Sequence, residues 1–139
     1  MDEALYLSEQ HLAVRNMVRE IARSEVAPVA AELDAKAEFP WASVKKMGEL
    51  GLMGIETPEE YGGAGLDSIC YVLAMEEISK VCASHGTIMS VNNSLVCLGL
   101  KKFGSDAQKH DSLIPLASGK KLGAYSLTEP QSGPDAGNM

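Results

Sequence analysis

The spacing of apolar residues changes period once along this chain, near residue 120, and that change limits what the chain can fold into. Before it, apolar residues recur at helical spacing. Val14, Met17, Val18, Ile21 and Ala22 form one stripe, with Ser8 as N-cap and Glu9 in the first turn, where a carboxylate suits the helix dipole. This predicts a helix from about Ser8 to about Ala35, kinked or broken by Pro28. Pro40 and Trp41 open a shorter helix with Val44, Met47 and Leu50 on one face, ended by Gly51. Asp67 is placed to cap a helix running to about Val81, which Ile69, Val72, Leu73, Met75, Glu76 and Ile78 make largely buried. Ser84 to Phe103 reads as a further helix stopped by Gly104, and Ser105 caps the last, Asp106 to about Ala117. Five helices with short links predict an all-α, up-and-down bundle.

After Gly119 the period becomes two. In Lys121–Leu127, Leu122, Ala124 and Ser126 alternate with Tyr125 and Leu127, which reads as a strand. The loop Thr128–Gly137 follows. A single strand cannot satisfy its own backbone donors and acceptors. The expectation is therefore a helical domain over 1–120 and, over 121–139, the first strand of a β domain whose remainder lies elsewhere.

Residues 51–65 include six Gly or Pro among fifteen, and their spacing matches neither a P-loop nor a dinucleotide fingerprint. They read as a tight connector rather than a phosphate loop.

With 139 residues the chain can bury a core of its own, and 45% hydrophobic with 22% charged residues is a globular balance. The net charge of −7 and the scattered pairs Lys45–Lys46, Lys101–Lys102 and Lys120–Lys121 exclude a nucleic-acid surface, although a polyanion such as a CoA ester needs only a few of them to converge. Cys70, Cys82 and Cys97 lack C-x-x-C spacing and read as reduced thiols; His11, His85 and His110 stand apart from them in sequence, so no metal site is expected. Met1-Asp2-Glu3 has no signal-peptide character and no apolar run reaches membrane-spanning length, so a cytoplasmic protein is expected, or one of the mitochondrial matrix if a transit peptide preceded it.

Three segments in order carry a resemblance. Tyr125-Ser126-Leu127-Thr128-Glu129-Pro130-Gln131-Ser132-Gly133-Pro134-Asp135 resembles the flavin-loop signature of acyl-CoA dehydrogenases, and Pro58–Gly65 resembles the loop after that family's second helix. Met89-Ser90-Val91-Asn92-Asn93-Ser94-Leu95 with Lys102-Phe103-Gly104 resembles the short-chain (butyryl-CoA) branch. The resemblance implies an N-terminal helical domain preceding a β domain and a C-terminal bundle. It also implies FAD as cofactor, oxidation of acyl-CoA to trans-2-enoyl-CoA, an electron-transferring flavoprotein as acceptor and a homotetramer. A carboxylate base takes the α proton and the flavin takes the β hydride.

Residue by residue, the resemblance makes Tyr125, Leu127, Thr128, Gly133 and Pro134 cofactor-binding, with the Thr128 hydroxyl near flavin N5. It makes Thr87, Val91, Leu95, Ser126 and Pro134 substrate-binding, the first three at i, i+4, i+8 along one helix face. Read without the resemblance, Thr128 is a strand end, Glu129-Pro130 a turn, and the Thr87–Val91–Leu95 stripe bundle core. Pro134 departs from the family's Ser or Thr, so a hydroxyl and an N–H are both missing; Ser126 and Asn138 are also more polar or larger than usual. No catalytic residue is assigned, since the base is expected beyond Met139. Glu76, within an apolar stretch, reads as paired or at the bundle edge. Two other readings stay open: a stand-alone helical binding module without flavin, and acyl-CoA oxidase-like chemistry.

Overall fold

The computed structural model describes residues 6–138, with the side chain of Asn138 excepted; the Met1–Glu3 start and the residue at Asn138 whose polarity departs from the family lie outside that description. From Glu9 to Ala117 the described chain is mainly helical, interrupted chiefly by the Gly51–Leu66 connector. The first rod consists of α1 (Glu9–Ile21), a π-helical turn (Ala22–Val26) and α2 (Ala27–Lys36). Ser8 caps it through a reciprocal box in which its hydroxyl accepts from the His11 N–H while His11 Nδ1 accepts from the Ser8 N–H.

Pro28 does not end this rod. The wide turn upstream shifts the hydrogen-bond register, with the Ala27 N–H reaching back to the Ala22 carbonyl, so that Pro28 falls in the first turn of α2 where its missing donor is not needed. The same arrangement recurs at Pro115. There α7 (Asp106–Gln108) passes through a π-helical segment (Lys109–Leu113) into α8 (Ile114–Ala117), with proline again at the start.

α3 (Trp41–Glu49) ends at Gly51, which takes the left-handed φ of 77°. The Gly51–Leu66 connector folds onto itself, Ala64, Gly65 and Leu66 donating to the carbonyls of Gly54, Thr57 and Ile55. A Cβ at Gly63 would lie 2.1 Å from the Thr57 carbonyl oxygen, so its glycine serves close backbone packing.

α4 (Ser68–Val81) is capped by Asp67, whose carboxylate accepts from the Cys70 N–H at 2.9 Å. Its inner face differs from the expected one. Cys70, Leu73, Ala74, Glu77 and Ile78 are buried, whereas Ile69 (44%) and Val72 (59%) are exposed and Glu76 faces solvent beside Lys80. The buried carboxylate is thus Glu77. Arg19 grips it with two bonds of 2.9 Å, from Nε to Oε2 and from Nη2 to Oε1, and Lys80 adds a third at 3.1 Å.

α5 (Ala83–Ser90), a π-helical segment (Val91–Cys97) and α6 (Leu98–Phe103) form the next rod. α1 packs on α4, and α4 on α5. One apolar cluster joins Val18, Val26, Met47, Met53, Ile55, Ala74, Ile78 and Met89; a second, smaller one joins Cys97, Leu113, Leu116 and Ala117.

The strand expected over Lys121–Leu127 is not formed. Residues 122–128 have no regular structure, and the sole bridge among the described residues pairs Glu129 with Ser132 across a turn. A strand exists only by pairing, and the described residues offer no second strand for this one.

Stability should fall in two stages on acidification. Burial pushes the His85 imidazole below its ordinary range, so the unfolded chain takes up that proton first and stability drops as pH falls below about 6.5. The Arg19 guanidinium holds Glu77 down to about 2 from 4.5, so its contribution is complete above 4.5 and is lost as pH falls through that interval. Denaturant titrations across this range should show both stages, and Glu77→Gln should shrink the lower one, to which Asp67, also held at about 2, contributes.

Candidate functional site

The residues singled out for cofactor and substrate fall into two groups, one on the α5 rod and one on the C-terminal segment. Thr87 is exposed, Val91 half-buried and Leu95 44% exposed, so the stripe faces outward and is not bundle core in this chain. The Thr87 hydroxyl donates back to the Ala83 carbonyl at 3.0 Å, which leaves its methyl group to define the surface.

In the C-terminal segment every residue from Ala124 to Gln131 is exposed, Tyr125 by 54% and Leu127 by 38%. No backbone N–H from Ala124 to Thr128 has a hydrogen-bond partner among the described residues. The loop beyond is closed on itself. Glu129 and Ser132 exchange backbone bonds of 2.8 and 3.2 Å, and the Ser132 hydroxyl donates to the Asp135 carbonyl at 2.6 Å. Gly133 has open space where a Cβ would stand, and Pro134 is exposed. The amides of residues 124–128 and the Thr128 hydroxyl are thus open to solvent, and Gly133 is uncrowded.

Residues not singled out from the sequence tie the chain leading into the second group to the rod that bears the first. Asn92 and Asn93 are buried in the π-helical segment of the rod. A wider turn advances less per residue, so adjacent side chains can share the inner face. Asn93 Oδ1 accepts from the Ile55 N–H at 2.8 Å, and its Nδ2 donates to the Leu52 and Met89 carbonyls at 2.9 Å. Asn92 donates to the Met53 and Leu116 carbonyls and accepts from the Gly123 N–H at 2.8 Å. The signal for them was two amides inside an otherwise apolar helical run, where a polar side chain persists only if it is fully bonded.

Two further constellations resemble chemistry without providing it. His11, Asp67 and Cys70, separate in sequence, each bring a possible ligand atom within 4.8 Å of the others. His11 Nδ1 already accepts from the Ser8 N–H, so Nε2 carries the proton and donates to Asp67 at 2.8 Å. Neither nitrogen offers a lone pair to a cation. The His11 and Cys70 contacts hold the Asp67 carboxyl at about 2. Likewise His85 and Ser43 are 2.7 Å apart and buried, but the Ser43 hydroxyl donates to the Pro40 carbonyl and so accepts from His85, the reverse of an activated nucleophile.

Comparison with known proteins gives a consistent pattern. The family profile described as "Acyl-CoA dehydrogenase, N-terminal domain" matches residues 8–120. "Acyl-CoA dehydrogenase, short-chain specific" of Clostridium acetobutylicum is 50% identical over 131 residues, 94% of this chain and 35% of that protein. A chain of the structure described as "Electron transferring flavoprotein of Acidaminococcus fermentans: Towards a mechanism of flavin-based electron bifurcation" superposes with a TM-score of 0.90 at 42% identity, covering 98% of this chain and 35% of that one. The Bacillus anthracis acyl-CoA dehydrogenase complexed with FAD superposes with a TM-score of 0.88 at 35% identity, over 96% of this chain and 23% of that one. The chain thus spans about a third of the length of the curated relative it matches. Among the described residues no helix is long and apolar enough to cross a membrane.

Titrating Co²⁺ into the reduced protein should give no near-ultraviolet thiolate-to-cobalt band, because His11 Nε2 is committed to Asp67. A band that disappears in Cys70→Ser would contradict that assignment.

Proposed function

The chain belongs to the acyl-CoA dehydrogenase family, and on that premise we propose that the protein it forms part of oxidises short-chain acyl-CoA esters to trans-2-enoyl-CoA. The observation that carries this reading is the open run of backbone donors from Ala124 to Thr128, tied to the middle of the rod that bears Thr87, Val91 and Leu95. Residues 1–120 would be the helical domain and 121–139 the beginning of the β domain, in line with a family match that ends at residue 120.

FAD, when bound, supplies the acceptor for the hydride that leaves the β carbon. The residues of this chain orient it and shape the substrate's space. The Thr128 hydroxyl can donate or accept as its partner changes redox state, and the amides of Tyr125 and Leu127 lie free to hold ring or thioester oxygens. Gly133 allows close approach of a phosphate, whereas Pro134 brings neither an N–H nor a hydroxyl to it, so the turn binds with two donors fewer than a Ser or Thr would supply. Ser126, exposed beside them, would face substrate. The branched side chains of Thr87 and Val91 with Leu95 would wall the acyl space and hold it short.

The α proton leaves to a carboxylate outside this chain. Glu77 is not that base: clamped by Arg19 and Lys80 at a pKa of about 2, it has little proton affinity near neutrality. Electrons would pass on to an electron-transferring flavoprotein, and the whole protein would be a homotetramer of the cytoplasm, or of the mitochondrial matrix in a eukaryote. The three free thiols, two of them buried, suit either reducing setting.

The full-length protein should purify yellow and, over acyl-CoAs from four to sixteen carbons, show its highest kcat/KM at four. A colourless protein that stays so with added FAD would overturn the reading. The 139-residue chain alone should not oxidise butyryl-CoA with an artificial acceptor. In the holoenzyme Thr128→Ala should cost about 1 kcal/mol of flavin affinity, measured by apoprotein titration.

A further inference from the structure

The rod that carries Thr87, Val91 and Leu95 also holds the segment leading to Tyr125, and one side chain makes the joint. Asn92 is wholly buried. Its Nδ2 donates to the Met53 carbonyl at 2.7 Å and the Leu116 carbonyl at 3.2 Å, and its Oδ1 accepts from the Gly123 N–H at 2.8 Å. Two carbonyls on one side and an N–H on the other allow only one orientation of the amide, and both its donor hydrogens are used.

One turn along, Val96 supplies a steric stop. Gly123 approaches it so closely that a Cβ there would lie 2.8 Å from Val96 Cγ1. Asn92 and Val96 therefore fix, by one bond and one contact, where the chain leaves the bundle two residues before Tyr125. Their sequence neighbours Val91 and Leu95 belong to the outward stripe. The outward stripe and the anchor of the chain leading to Tyr125 are thus carried by neighbouring residues of one rod.

We propose that Asn92 is a positioning residue for the oxidation: through Gly123 it sets the distance between the Tyr125–Pro134 segment and the Thr87–Val91–Leu95 wall, and with it the acyl length accepted. This rests on the functional reading above. Asn93 provides an internal control. It is also buried and makes three bonds, but to Ile55, Leu52 and Met89, none of them in the C-terminal segment.

The test uses the full-length holoenzyme with Asn92→Ser, Asn93→Ser and Gly123→Ala. Both asparagine variants should lower Tm. Only Asn92→Ser and Gly123→Ala should shift the flavin absorption band and change the four-carbon to eight-carbon ratio of kcat/KM, with butyryl-CoA turnover falling on the order of 10- to 100-fold. Gly123→Ala leaves the Asn92 side chain intact and pushes the segment off Val96, so it decides the matter if Asn92→Ser does not fold. Unaltered absorption and chain-length ratio in Gly123→Ala, or equal ratios in the two asparagine variants, would overturn the proposal while leaving the dehydrogenase reading standing. An unsubstituted protein that binds no FAD would overturn both.

Discussion

Hydrogen bonds of two adjacent asparagines fix how the connector, the central rod and the C-terminal segment sit against one another. Met53 belongs to the larger apolar cluster and Leu116 to the smaller one, and the Asn92 amide bonds the carbonyls of both. Asn93 takes the connector between α3 and α4 at Leu52 and Ile55. A neutral hydrogen bond contributes about 1 kcal/mol net, but a buried amide left with an open valence costs more than that. The network is therefore close to all-or-none: it specifies one arrangement of connector, rod and C-terminal segment, and penalises slippage in any of them. Apolar side chains in the same places would bury equally well and specify none of it.

The other half of the bundle is aligned by charge. His11 to Asp67 and Arg19 to Glu77 tie α1 to α4 at two levels, roughly two helical turns apart on α1. The two ties differ in kind. Asp67 is exposed and serves chiefly as a helix cap, whereas Glu77 is buried and held by two cations. Removing one partner of a buried pair leaves an uncompensated charge, which is the costly event; the intact pair itself adds little. The same clamp that makes Glu77 structurally necessary disqualifies it as a base.

How much of this was legible beforehand depended on whether the signal was local. Ser8, Asp67 and Ser105 were readable as caps because a cap acts over three residues, and all three accept the bonds their type predicts. The helices and their order followed from period alone. The phase of α4 did not, since Ile69, Val72, Leu73, Met75 and Ile78 make it apolar nearly all round, and a helix of that kind does not announce its inner side. Glu76 and Glu77 are adjacent, so assigning the buried one required knowing where Arg19 lay, 58 residues away in sequence. Pro28 was read against an ideal helix, and the π-helical turns before it and before Pro115 have no residue signature of their own. The alternation from Leu122 to Leu127 was real as a pattern, but a strand is a property of two segments and only one of them is present among the described residues.

The candidate site was legible in its residues and not in its mechanics. Nothing in the order Thr87, Val91, Leu95, then Tyr125 to Pro134, says that the chain leading into the second stretch is anchored on the rod that bears the first; that follows from Asn92 Oδ1 and from the absent Cβ of Gly123. The same viewpoint accounts for Pro134. The loop around it closes through Glu129, Ser132 and the Asp135 carbonyl, and the one bond Pro134 makes is as an acceptor, from the Ala136 N–H. A proline there leaves every internal bond of the turn in place and stiffens it. What it gives up are the N–H and the hydroxyl of a Ser or Thr, so any anion bound at this turn must be held by neighbouring amides on a loop whose shape is already set.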